Sequence, residues 1–164
     1  SITSMEHAKR RTSAMSDEAA RNARYEECLN NLGNILYYID NHHHNVFLYC
    51  YVAGGMTGPD LFIDYGSFIR KAVDIRGYSE DLYPAINDLW QAETSRPRWC
   101  IMEFLVRDKK FSAKYTYAEN RKDQSRLFHY FEHSDYEKAR GYFGNKPIRQ
   151  IDPLGIDIDT KLPM

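Results

Sequence analysis

The spacing of apolar residues changes several times along the chain, and each spacing names an element. Tyr25, Cys28, Leu29, Leu32, Ile35, Leu36 and Ile39 recur every three or four positions, as one buried stripe on a long helix does. Ser16 stands where a side-chain oxygen can cap the first turn, and Asp17 and Glu18 follow where the helix dipole favours negative charge. Asp40 and Asn41 are the expected stop. From Val46 to Ala53 the period falls to two, with Phe47, Tyr49 and Tyr51 on one side and Val46, Leu48, Cys50 and Val52 on the other. A strand apolar on both faces is central in its sheet. The loop Gly54-Gly55-Met56-Thr57-Gly58-Pro59 turns the chain. Leu61, Ile63 and Tyr65 then alternate with Asp60, Phe62 and Asp64, and after Gly66-Ser67 a third strand is predicted from Phe68 to Ile75.

A short helix follows, with Pro84 expected at its first position and Ile86, Leu89 and Trp90 as its apolar face. Residues 98 to 117 are the best-patterned stretch. If Asp108 and Lys109 form a two-residue loop, Val106 faces Phe111, Phe104 faces Ala113, Met102 faces Tyr115 and Cys100 faces Tyr117, all on one apolar face. The opposite face then pairs Glu103 with Lys114, Leu105 with Ser112 and Ile101 with Thr116, and a cross-strand ion pair between Glu103 and Lys114 is expected. A slip of one residue would turn Ser112, Lys114 and Thr116 into the core, so the pattern sets the register. Leu127 to Phe131 fits either a strand or a buried helical turn. Ser134 and Glu137 have capping-box spacing, which predicts a short helix starting there and stopping near Gly141 or Gly144.

Short loops between successive strands imply antiparallel pairing. The expected fold is α+β: a meandering antiparallel β-sheet of about five strands, with a long N-terminal helix and further helices packed on one face. Residues 1–15 are expected as a mobile basic segment, 16–145 as a single α+β domain, and 146–164 as an extended tail. A length of 164 residues suits one domain, and a hydrophobic content of 43% supplies its core.

Composition then excludes some functions. A net charge of −1 gives no electrostatic argument for direct nucleic-acid binding or for an anionic membrane surface. No apolar run is long enough to span a bilayer, and the opening residues lack the apolar core of a secretion signal. Cys28, Cys50 and Cys100 all lie in apolar-patterned segments, so reduced, buried thiols in a cytoplasmic protein are expected. The 13 tyrosines suit half-buried sheets and protein interfaces.

Candidate chemistry is sparse. His42, His43 and His44 are adjacent in a loop, where side chains diverge and do not readily close one tetrahedral metal site. His129 and His133 have helical ligand spacing but are followed by no general-base glutamate pattern. The glycine-rich loop at 54–59 lacks the Gly-Lys-Ser/Thr ending of a phosphate cradle. There is no nucleophile elbow, and neither a catalytic residue, a metal nor a cofactor is expected. The cluster Asp74, Tyr78, Glu80, Asp81, Tyr83 and Asp88, around the connection into the short helix, is the candidate partner-binding surface. Acids interleaved with tyrosine suit a basic protein partner.

The hairpin also carries a resemblance. Trp99, then Met102-Glu103-Phe104, a tight turn, Lys110-Phe111 and the closing Tyr115-Thr116-Tyr117-Ala118-Glu119 resemble the YezG-like immunity proteins of bacteria, and Val46-Phe47-Leu48-Tyr49 resembles the first strand of that family. Two features depart from its pattern: Lys109 and Lys110 stand where the turn favours glycine, and Asn45 stands where an aromatic precedes the first strand. The resemblance implies a small cytoplasmic antitoxin that binds the C-terminal domain of a cognate polymorphic toxin, often a nuclease, and blocks it. Two readings from other classes stand beside it: a metal-dependent enzyme built on the histidines, and a small-ligand sensor domain with a sizeable apolar pocket.

Overall fold

A computed structural model describes residues 2–164, with side chains from residue 17 onward. Helix α1 spans Ile2–Tyr37. It runs through Ser16, where the sequence predicts a helix start, and the cap expected there and the mobility expected at 1–15 both fall outside the residues whose side chains are described. Strands β1 (Val46–Ala53), β2 (Met56–Asp64) and β3 (Ile69–Ala72) follow, then the single turn α2 (Ile75–Tyr78), α3 (Leu82–Ala92), β4 (Ile101–Arg107), β5 (Lys110–Thr116), α4 (Arg121–Phe143) and β6 (Ile148–Ile151). The fold is α+β. Its six strands lie in the order β5-β4-β1-β2-β3-β6, antiparallel throughout except for β3 and β6, which pair in parallel.

β1 is central, as its two apolar faces require. Gly54 and Gly55 alone form the loop to β2, both at positive φ, so β2 begins earlier than its alternation indicates. The β4–β5 register is the one the side chains dictate, with Val106 opposite Phe111 and Met102 opposite Tyr115. Its turn also has two residues at positive φ, Asp108 at 51° and Lys109 at 66°, although neither is glycine. Asn45, the other departure from the family pattern, supports that turn: its side-chain oxygen accepts from the Asp108 amide at 3.1 Å.

Cys100 departs from the expected face. Its amide donates to the Thr116 carbonyl at 2.9 Å ahead of the regular ladder, and it is buried with Ile101 on the face opposite Met102 and Phe104. Glu103 departs from its expected partner. It stands opposite Lys114, but it is buried and engages α4 instead, accepting from the Tyr142 hydroxyl at 2.8 Å and pairing with Lys138 at 3.5 Å.

The helices cover both faces of the sheet, not one. α1 and α3 close the face of Val46, Leu48, Leu61, Ile63 and Met102, and α4 closes the face of Phe47, Tyr49, Tyr51 and Phe62. Gly33 lets α1 approach β5, because a Cβ there would collide with the Phe111 ring. Leu127 and Phe131 are buried on α4, which settles the ambiguous segment as helix. Asn120 caps that helix by accepting from the Asp123 amide at 2.9 Å. Ser134 therefore lies in the helix interior rather than at a new start, while Gly144 ends the helix as expected, at φ 96°. In α3, Pro84 is third rather than first, still among the residues whose N–H lacks an intrahelical acceptor.

Residues 146–164, expected as an extended tail, contribute β6 and a compact turn. Buried Asp157 accepts from Arg149 Nε at 2.9 Å and from the amides of Asp159 and Thr160. All three cysteines are free and buried. Among the described residues, no helix is long and apolar enough to cross a membrane.

Candidate functional site

The connection from β3 to α3 is held from below by the C-terminal segment. The Val73 amide donates to the Ile151 carbonyl at 2.9 Å, and Asp74 takes the left-handed conformation at φ 60°, starting the α2 turn. The expected partner-binding residues separate here into two kinds. Asp74, Glu80, Asp81 and Asp88 are exposed, and none makes an ion pair among the described residues. Tyr83 is half-buried, with the Arg76 guanidinium 5.1 Å from its ring centre, so this acidic surface contains one cation. Asp88 sits further along α3 and shares a surface hollow with Arg24, Cys28 and Asn31 of α1.

Tyr78 is turned inward. Its hydroxyl donates toward the carbonyls of Ile151 at 2.7 Å and Asp152 at 3.0 Å, and accepts from Arg70 Nε at 2.8 Å. Burial pushes this phenol up to about 12, against the opposing pull of Arg70. Tyr78 thus ties the connection to the tail, and only part of its ring can meet a partner.

Behind it lies a cleft of about 370 Å³, walled by the end of α1, the connection and the tail; Asp40, His42, Tyr65, Arg70, Tyr78 and Leu154 are among its lining residues. Arg70 forms its floor. Besides Tyr78, it donates from Nη1 to the Tyr65 hydroxyl at 2.8 Å and from Nη2 to the Asp152 carbonyl at 2.7 Å. The Tyr65 ring stacks on His44 with centres 4.4 Å apart, and His44 Nδ1 donates to Asp40 Oδ2 at 2.8 Å. Burial disfavours the Asp40 carboxylate, but the hydrogen bonds from His44 and the His42 amide outweigh it and hold its pKa below the usual range. Two hydrogen-bonded groups, Asp40 with His44 and Arg70 with Tyr65 and Tyr78, are therefore joined by the stack of His44 on Tyr65. The key member, Arg70, is not among the candidate residues expected from sequence. The available signal was Arg70 standing between the buried Ile69 and Ala72 of β3, beside Lys71 on the other face.

The comparisons with known proteins give a single result. No family model matches this chain, and no curated protein matches it.

The remaining candidates are dispersed. His43 stacks on Tyr37 with centres 4.5 Å apart, while the His42 ring lies 5.6 Å from that of His44, which is bound to Asp40, so the three do not converge on one point. His129 and His133 face each other at 4.5 Å on α4, across the sheet from them. Among the described residues, no group of three or more His, Cys, Asp or Glu is placed to hold a metal. Burial pushes the thiols of Cys28, Cys50 and Cys100 up, away from reactive thiolates.

Proposed function

We propose that the chain is an immunity protein, a cytoplasmic antitoxin that binds the C-terminal domain of a cognate bacterial toxin and neutralises it by stoichiometric occlusion. The observation that supports this reading most is the exposed, unpaired acid at Asp74, Glu80 and Asp81, on a connection fastened to the sheet by Val73 and Tyr78. Rigid acidic groups without partners of their own suit a basic protein cleft, as a nuclease presents to its substrate, and lose little freedom on binding. Asp88 lies at the margin of this surface. The resemblance of the β4–β5 hairpin to the YezG-like family points the same way, with the hairpin as scaffold.

Co-expression with the product of the neighbouring toxin gene tests the proposal. Rescue of growth and a complex on gel filtration are expected; toxicity with no complex overturns the reading. Glu80→Lys with Asp81→Lys should weaken the complex by roughly 2 kcal/mol or more, about thirtyfold in Kd, if these acids meet desolvated cations. Unchanged affinity would move the interface elsewhere on the molecule.

A further inference from the structure

We propose that the cleft floored by Arg70 is a binding site for a small oxyanion, with a monoanionic carboxylate its best ligand. Arg70 is 6% exposed, and no carboxylate lies within ion-pair distance of it among the described residues. Its partners are two phenols and one carbonyl, all neutral. The faces of Tyr65 and Tyr78, with ring centres 5.8 and 4.8 Å from the guanidinium carbon, add further weak compensation. A guanidinium does not lose its proton at any ordinary pH, so it stays a buried cation with no carboxylate in direct contact among the described residues.

The same hydrogen bonds show what is left to give. Arginine carries five N–H groups. One is directed at Tyr78, one at Tyr65 and one at Asp152, which leaves one N–H on each terminal nitrogen. Those two groups belong to a side chain that lines the cleft. A carboxylate or phosphate oxygen can accept from these donors, and it brings the negative charge that no direct contact of Arg70 supplies.

The other walls narrow the choice. Asp40 is a second charge in the cleft and is held ionised by His44 and the His42 amide, so it disfavours a dianion. Ile39, Leu154 and Met164 line the cleft as apolar surface, and Leu154 is 87% exposed at its rim. They suit the body of a small organic acid, and the volume is enough for one. The competing account is that Arg70 only tethers the tail to β3.

The test is a two-dimensional NMR titration of the full chain with sodium benzoate and, separately, inorganic phosphate, each against sodium chloride at equal ionic strength. Saturable shifts at the amides of His42, Gly77 and Gly155 are expected, with benzoate binding more tightly than phosphate at neutral pH. Arg70→Gln should abolish them. Because that variant also loosens the tail, Leu154→Asp is the second arm. It alters an exposed side chain, adds negative charge at the mouth and should weaken benzoate severalfold. Phosphate binding more tightly than benzoate would overturn the preference for a carboxylate. No saturable shift with either anion, or shifts that survive both substitutions, would leave Arg70 a tether and overturn the site. The titration uses the chain alone and reads Arg70 whatever protein the chain meets.

Discussion

On the face of the sheet covered by α1 and α3, Leu32, Leu36, Val46, Leu48, Leu61, Ile63 and Leu89 pack as aliphatic side chains. Under α4 the sheet instead presents Phe47, Tyr49, Tyr51 and Phe62, and polar contacts cross the layer. Tyr49 meets Ser134 at 2.7 Å, Tyr142 donates to Glu103, and Lys71 pairs with Asp135 at 2.9 Å. The first face is held mainly by area removed from water, which is non-directional, with few polar contacts across it: the Tyr25 and Tyr115 hydroxyls meet at 2.6 Å, and Trp90 Nε1 donates to the Trp99 carbonyl at 2.9 Å. The second is held by bonds that are satisfied in only one placement of α4, so it fixes the position of that helix while stabilising less per contact.

The comparison breaks first at Leu48, fully buried on the aliphatic face. Leu48→Ala should cost about 3 kcal/mol in urea unfolding, from lost transfer energy plus the cavity. A loss below about 1 kcal/mol would mean that this face is loosely packed.

Asp60 tests the other face next. It stands opposite Tyr49, and burial pushes its carboxyl up to about 6, opposed by Lys71 and reinforced by Asp135. The unfolded chain releases this proton near pH 3.9, so from about pH 4 to 6 the folded state holds more protons and stability falls as pH rises. Asp60→Asn removes that loss. Relative to the parent, the variant should gain on the order of 2 kcal/mol between pH 4 and pH 7, read by urea unfolding at both. A difference that does not change with pH would show a solvated carboxyl.

The Tyr49–Ser134 bond comes third. Ser134→Ala strands a buried phenol and should cost about 1–2 kcal/mol, whereas Tyr49→Phe combined with Ser134→Ala should cost less than the two single changes added together. Strict additivity would mean that the bond contributes nothing specific. The smallest effect belongs to the β4–β5 turn, which sits at the edge of both layers. Lys109→Gly should stabilise by roughly 0.5 kcal/mol, because the position has positive φ. A destabilised variant would show that chain entropy outweighs the strain there.

The same contrast explains what could be read from the chain. The aliphatic face and the hairpin register follow from local alternation, and both were legible. The α4 face depends on partners far away in sequence. Ser134 has the spacing of a helix cap, yet its hydroxyl is matched to Tyr49, 85 residues earlier. Glu103 has a ready partner in Lys114 by register, but α4 supplies Tyr142 and Lys138. Helices on both faces were implied by the doubly apolar β1, a signal that was applied to its central place and not to its cover. Of the expected partner surface, Asp74, Glu80, Asp81 and Asp88 are exposed, while Tyr78 is turned inward, because its anchoring carbonyls come from a tail whose pattern shows no strand.

The parallel pairing of β6 with β3 bears on how the cleft is completed. The β1–β4 pairing joins residues 50 to 60 apart, and the β3–β6 pairing joins residues 79 apart, the longest span in the sheet. Closing the longest loop costs the most chain entropy. Until it closes, the Val73 amide and Arg70 lack the carbonyls of residues 151 and 152. The cleft is therefore complete only once β6 and the tail are docked, and any ligand that favours it shifts their equilibrium toward the docked state.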